Sequence, residues 1–541
     1  MAVTLKKAET SAAVLLTVAA IWLRVIAAQS AGGLWRDEVN TVGLATLPSL
    51  RDVWMNLQFD SFPLLWVLLI RQFAAIAGVM NDPAFRLLGC VIGIGLIASL
   101  WFYARTLRYS LPLVSLALFA MNPSIVLWSD TVRGYGFGLL LIVTTGALVW
   151  RVMESPTTVR VIVALVAAIA SVHSLYYNSV LLLAFSCGAA AVCADRRDWR
   201  AASMIVVVGL IAAISLIPYA AVIRSASTWN TLVQVQDYSF LWFWSKLDET
   251  VRPAGPWSLV TWCELIVLAL VAGARAVRFP NQLGHSPDQR EVALGASVTL
   301  VVGLLGSFFF LRALSYVTQP WYYLTLLAVG AVCVDAISGS LIHSSLARKA
   351  RLIGVLLLGS ATFIQGLQVV RTRMTNLDVA ATYVAQTAGG NDLIVVNPWF
   401  YGVTFARYYR GRAPWMTVPQ VGFYRYHRYD LIKQQMTRPD QRLLMVPLED
   451  AISFALQSGN RVFVVGDLRI PPPGQIPQIL PPAPRSGDFR PENRYDLNWS
   501  MQTGYFLQHH STRITVLRHQ ASEGVSHFEN SAVVVVTGWR P

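Results

Sequence analysis

The sequence predicts a mainly α fold: a polytopic transmembrane helical bundle of about eleven spans, followed by a C-terminal extracytoplasmic α/β domain. Three observations predict it. First, 55% of the 541 residues are hydrophobic and only 13% are charged, far too apolar for a soluble chain of this length. Second, apolar runs of about 18 to 22 residues recur from residue 12 to residue 370, each long enough to cross a hydrocarbon core of roughly 30 Å. Third, the composition changes after Arg371, where short β-branched runs replace the long apolar ones.

Taken in order, the runs place spans near 12–29, 86–105, 111–128, 134–152, 158–172, 174–194, 201–223, 257–277, 292–311, 320–340 and 352–370. The first follows Lys6 and Lys7. It resembles a secretory signal, but more spans follow it, so it reads as the first span. Basic clusters orient the bundle. Lys6–Lys7, Arg105–Arg108, Arg151–Arg160, Arg196–Arg200, Arg275–Arg290 and Arg348–Arg351 belong on the cytoplasmic side of a plasma (bacterial inner) membrane. Residues 30–61, 129–134, 173–178, 224–256, 312–319 and everything after 371 then lie outside. Residues 60–79 are apolar enough to cross, but crossing would invert every later loop. Arg71 and Gln72 near the middle argue for a helix lying on the outer face or partly inserted.

Two domains follow, 1–370 in the membrane and 371–541 outside it. In the second, "NDLIVVNPW", "RVFVVGDL" and "ENSAVVVVTGW" read as strands and "LEDAISFALQSG" as a helix closed by glycine. "IPPPGQIPQILPPAPRSG" is a Pro-rich loop or linker. The net charge of +14 sits largely in short cytoplasmic loops and does not imply a nucleic-acid partner. The five cysteines lie in apolar segments without metal-site spacing, and no disulfide framework is visible.

Polar residues recur on the outer face. "GGLWRDEVN" puts Asp37 and Glu38 just past the first span. Asp60 precedes Pro63. "LWSDTVRGYGFG" carries Asp130, Arg133 and Tyr135, and "SVHSLYYNS" carries His173, Tyr176, Tyr177 and Asn178. Ionisable groups at membrane depth are functional candidates by default. The bland alternatives are specific too. Arg133 would pair with Asp130, His173 would be a satisfied interfacial residue, and Tyr176, Tyr177, Trp321, Tyr322 and Tyr323 would form an aromatic belt. Gly89, Gly93 and Gly95 would serve helix packing.

The order span one, "DE" pair, apolar segment opening at proline, then S-D-x-x-R-x-Y-G resembles the C-type (GT-C) glycosyltransferases. It is most similar to the branch of protein O-mannosyltransferases and aminoarabinose-to-lipid-A transferases. The motifs cover about residues 10 to 200, and the later spans match in layout. The chain departs from that branch in "SFP" for "HPP", "TVR" for "EAR", and "TQPWYYL" at a late span. These departures concern donor sugar and acceptor. The resemblance implies a catalytic centre at Asp37 with Glu38 beside it, Asp60 and Asp130 as the matching later acids, and a polyprenyl- or dolichyl-phosphate sugar as donor.

The chemistry suits such groups. A lipid-linked sugar presents its reactive carbon just outside the hydrocarbon, where Asp37 lies. A carboxylate that takes the proton of an acceptor hydroxyl is worth about 100- to 10,000-fold. The expected roles are Asp37 as general base, with Glu38 and Asp60 in the catalytic group. Asp130, Arg133, Tyr135, His173, Tyr177 and Arg312 are the expected donor or phosphate contacts, with Arg133 or Arg312 stabilising the departing phosphate. A divalent cation held by Asp60 or Glu38 and by His173 is a further option. The sequence therefore points to an integral membrane glycosyltransferase acting on an envelope glycan, lipid or protein hydroxyl. A transporter or flippase of a lipid-linked saccharide and a non-enzymatic assembly protein are the rivals. The tail, with the aromatic- and arginine-rich "VNPWFYGVTFARYYRGRAPW", is expected to cover the catalytic face.

Overall fold

The computed structural model describes residues 2–60, 62–108, 111–233, 238–280, 284–483, 492–521 and 524–541. Ser61 of the "SFP" motif and the end of the Pro-rich stretch, 484–487, lie outside them. Among the described residues, nine helices are long and apolar enough to cross a membrane: Leu5–Ser30, Asp82–Thr106, Gly134–Glu154, Asn178–Arg196, Trp199–Asn230, Ser258–Arg278, Pro287–Leu314, Pro320–Leu341 and Ser345–Val369.

The expected count of about eleven is therefore not confirmed, for local reasons. Run 111–128 is broken in two. Ser115–Ala120 winds as a π-helix and Pro123–Ser129 starts afresh as an α-helix. Asn122 makes the break: its Oδ1 accepts the Ser124 N–H at 2.9 Å. Pro123 has no N–H to extend the preceding turn. The π segment is capped from another span, where Asp335 accepts from the Val114 and Ser115 N–H groups at 2.9 and 2.7 Å. Run 158–172 forms a helix of 15 residues, about 22 Å long at 1.5 Å per residue.

Residues 60–79 contain the helix Leu64–Ala77, 14 residues long and too short to cross alone. Its inner face buries Trp66, Val67, Ile70 and Ala74. Arg71 turns away from lipid and donates to the Ala45, Leu47 and Pro48 carbonyls at 2.8, 2.6 and 3.2 Å. A cation thus sits at the carbonyl end of the Arg36–Ala45 helix, the favoured place for positive charge.

Small residues set the close crossings. Asn178–Arg196 packs on Pro287–Leu314, and a Cβ at Gly188 would run into Thr299 and the Gly295 carbonyl.

After residue 371 a five-stranded sheet forms from β1 (Leu393–Asn397), β2 (Trp415–Thr417), β3 (Val462–Gly466), β4 (Ser511–Arg518) and β5 (Ala532–Trp539), in the order β2-β1-β3-β5-β4. β1 runs parallel to β2 and β3, whereas β5 is antiparallel to β3 and β4. β1 and β3 are wholly buried runs of β-branched and aromatic residues, as interior parallel strands require. β2 and β4 have no counterpart among the expected strands. Their sequences, "WMT" and "STRITVLR", are respectively too short and too polar to signal a strand.

The α/β domain packs directly on the loop after the first span. Tyr408 Oη accepts from the Leu34 N–H at 2.6 Å, and Asn40 Oδ1 accepts from the His427 N–H at 2.7 Å. Arg425 Nε donates to the Gly43 carbonyl at 3.2 Å, and Tyr426 Oη donates to Asn56 Oδ1 at 2.8 Å.

Candidate active site

The site is built on the short helix Arg36–Ala45. Gly32, at φ +68°, turns the chain off the first span, where a Cβ would collide with the Arg373 guanidinium. Trp35, the N-cap residue, offers no oxygen to the helix start, so Glu38 supplies one and accepts the Trp35 N–H at 3.1 Å. The other Glu38 oxygen accepts from Arg86 Nη1 at 2.5 Å and from the Val132 N–H at 2.8 Å. Arg86 also donates to the Gly32 and Gly33 carbonyls. Glu38 is fully buried, with three of its roughly four acceptor positions taken by protein donors. It fixes the loop rather than facing a ligand.

Asp60 and Arg133 form a second tie. Arg133 Nη1 donates to Asp60 Oδ1 at 2.9 Å, to Thr41 Oγ1 at 2.6 Å and to the Asp37 carbonyl at 3.0 Å, while Thr41 Oγ1 donates to Asp60 Oδ2 at 2.8 Å. Arg133 also lies over the Phe62 ring at 4.4 Å. Its partner is thus Asp60 and not its sequence neighbour Asp130.

Asp130 pairs instead with Arg24, a fully buried residue in the first span, which also donates to Ser129 Oγ at 2.9 Å. Gly93 makes room for this pair, and Gly89 for the Asp130 carbonyl. Arg24 is not among the expected site residues, although one charge inside an apolar run is a signal for it. Arg86, at the start of another span, is absent from them in the same way.

Asp37 differs. Its nearest ionic partner is Arg36 Nε, 3.6 Å from Oδ1, and about a fifth of its side chain is exposed. Its charge is felt at Arg133, Tyr135, Tyr316 and His427. Those groups therefore lie near it, three from the membrane domain and one from the α/β domain. The Tyr135 and Tyr177 hydroxyls are buried without a hydrogen-bond partner, and each ring lies 6.2 Å from Tyr322. Tyr177 and Tyr322 open a narrow cleft with Leu181, Phe310 and Leu326.

Two expected contacts lie apart. His173 engages both ring nitrogens, Nδ1 with Tyr219 Oη at 3.1 Å and Nε2 with Ser215 Oγ at 3.0 Å. Arg312 is exposed in the last turn of Pro287–Leu314. Among the described residues no three His, Cys, Asp or Glu side chains converge on a metal position. With His173 committed to hydroxyls and Asp60 to Arg133, the suggested ligand pair does not fit a divalent cation.

The α/β domain closes the site from above. Arg36 lies over the Phe400 ring at 4.4 Å. Trp399 Nε1 donates to Glu492 Oε1 at 2.9 Å. Burial lowers the His427 imidazole to about 4 and raises the Glu492 carboxyl to about 7.

No protein-family model and no curated protein sequence matches the chain. Solved structures do. ArnT from Cupriavidus metallidurans, bound to undecaprenyl phosphate, superposes with a TM-score of 0.50 at 11% identity, covering 96% of this chain and 97% of that one. The oligosaccharyltransferase of Archaeoglobus fulgidus in the apo form gives 0.51 at 11% identity, covering 85% and 69%. The chain has the GT-C glycosyltransferase fold. In this fold the loop with the acidic pair lies against the C-terminal domain, and Asp37 is the carboxylate of that loop least tied to protein donors.

Proposed function

We propose that this protein is an integral membrane glycosyltransferase. It moves one monosaccharide from a polyprenyl-phosphate donor to a hydroxyl acceptor (an envelope glycan, lipid or protein) on the extracytoplasmic side of the membrane. The observation that carries the reading is the contrast among the acids. Glu38, Asp60 and Asp130 are each bound to an arginine at hydrogen-bond distance, and Asp37 is not. A general base must keep a lone pair available at neutral pH.

Asp37 accepts the proton of the acceptor hydroxyl as that oxygen bonds to the anomeric carbon. The bond from that carbon to the phosphate oxygen breaks, and its electron pair leaves with the lipid phosphate. One in-line displacement inverts the anomeric centre. The unpartnered Tyr135 and Tyr177 hydroxyls are suited to donate to the phosphate, and the Arg133 charge lies close by. The small cleft between Tyr177 and Tyr322 is lined largely by apolar side chains, surroundings that suit a polyprenyl tail, and it would have to widen to admit one.

The test uses purified protein in lipid with labelled polyprenyl-phosphate sugars, following hydrolysis or transfer. Wild type should turn over and Asp37→Asn, at equal folded yield, should lose about 100-fold or more. Equal turnover in both would remove Asp37 from the mechanism. No turnover by wild type with any donor would overturn the transferase reading.

A further inference from the structure

The helix that carries Asp37 begins with N–H groups that have no partner inside the helix. Glu38 satisfies the one on Trp35. The next, on Arg36, is satisfied from 493 residues away: Glu529 Oε2 accepts it at 3.2 Å. The other Glu529 oxygen accepts from Thr404 Oγ1 at 2.8 Å, and the residue is fully buried.

Its neighbour Phe528 enters a cage of three membrane-domain tryptophans. Ring centroids lie 6.2 Å from Trp35, 5.5 Å from Trp128 and 5.1 Å from Trp321. The pair projects from a firmly held base. The Ser526 N–H donates to the Arg373 carbonyl at 2.8 Å, and the Ser531 N–H donates to Asn376 Oδ1 at 2.7 Å. The core strand β5 starts at Ala532.

We propose that Phe528–Glu529 is a finger of the α/β domain that completes the active site, with Glu529 capping the Asp37 helix and Phe528 seating the cap against the tryptophan cage. Both are positioning residues. The C-terminal domain is then part of the catalytic apparatus and not only its cover. The inference rests on the proposed transfer at Asp37. The geometry decides which atoms matter: an N-cap acceptor orients the first helical turn, and Asp37 is the second residue of that turn. Burial raises the Glu529 carboxyl to about 8 against the opposing pull of Arg36. A glutamine is therefore its closest isostere at neutral pH. It can accept the Arg36 N–H and donate to the Thr404 hydroxyl.

The experiment compares wild type, Glu529→Ala, Glu529→Gln and Phe528→Ala in lipid. It measures turnover of labelled polyprenyl-phosphate sugars and hydrogen–deuterium exchange of backbone amides. Glu529→Ala should lower kcat about tenfold and leave donor KM within about twofold, because the base is misplaced while the donor contacts stay. Exchange should quicken at residues 36–38 and stay unchanged in β3 and β5. Phe528→Ala should act in the same direction, and Glu529→Gln should restore most of kcat.

Unchanged exchange at residues 36–38 in Glu529→Ala would overturn the cap. So would faster exchange spread through the sheet, or a glutamine variant as slow as the alanine one. The exchange measurement needs no substrate. Failure of the transferase reading, with no turnover by wild type, is thereby distinguished from failure of the cap.

Discussion

Asp37 and Glu38 are adjacent in sequence, yet they face different surroundings. One helical step, about 100°, turns Glu38 into the membrane domain against Arg86 and leaves Asp37 on the side where Arg133, Tyr135 and His427 converge. Substitutions at the two positions should separate cleanly. Glu38→Gln leaves the nearly fully buried Arg86 guanidinium without its counter-ion, and breaking such a pair costs about 3–5 kcal/mol. Folded yield and thermal midpoint should fall. Asp37→Asn should match wild type in both, since its carboxylate makes no short ion pair. Detergent-solubilised yield and thermal scanning check this. Equal loss in both variants would contradict the division of roles.

This division also shows what could be read from the sequence. The membrane bundle, the acidic loop and three of the five strands follow from apolar run length and β-branched runs. The fate of each acid does not, because ion-pair partners are tertiary. Asp60 finds Arg133 across 73 residues and Glu38 finds Arg86 across 48. Glu529 lies in a polar stretch with no motif, and only the packing of the α/β domain brings it to Arg36. Arg24 is the instructive miss. A lone arginine in the first apolar run calls for a buried partner, even where the partner is unknown.

Gly93 gives a second prediction. A Cβ there would overlap Arg24 Nη1 and Asp130 Oδ1, so the ion pair must shift. At Gly95 a Cβ meets mainly the flexible end of Leu140. Gly93→Ala should lower the thermal midpoint by several degrees, about 1–3 kcal/mol of overpacking, and Gly95→Ala should change it less. A Gly93→Ala protein as stable as wild type would mean the pair can move at no cost.

The two silent tyrosine hydroxyls give a third. Buried polar groups without partners are uncommon in native proteins and call for an explanation. Donation to the donor phosphate explains Tyr135 and Tyr177. Tyr135→Phe and Tyr177→Phe should each raise donor KM or lower kcat/KM about 10- to 100-fold, the worth of one hydrogen bond to a charged group. Stability should hold or rise, since an unpaired buried hydroxyl is removed. Unchanged kinetics in both variants would place the phosphate elsewhere.

The last prediction concerns pH. Burial raises the Glu529 carboxyl to about 8 and the Glu492 carboxyl to about 7, from an unfolded value of about 4.5. A raised folded value means the native state holds protons that the unfolded chain has lost. Their contribution is complete below about 4.5 and is lost as pH rises through 7 to 8. His427 works in the opposite sense. Its folded value is lowered to about 4, so it costs stability as pH falls toward and below about 6.5, where the unfolded imidazole charges. At pH 6.5 the unfolded imidazole is still half-charged, a cost of about 0.4 kcal/mol that fades by about pH 7.5 and is smaller than the loss from the acids; above that pH the histidine is neutral in both states and the buried acids dominate. The thermal midpoint should therefore be lower at pH 8.5 than at pH 6.5, and Glu492→Gln should flatten that slope by removing one of the titrating acids. The check is thermal scanning of wild type and variant across that interval in one buffer system at fixed ionic strength. A midpoint that rises with pH would mean these carboxyls are ionised in the native protein, held by cations nearer than Arg36.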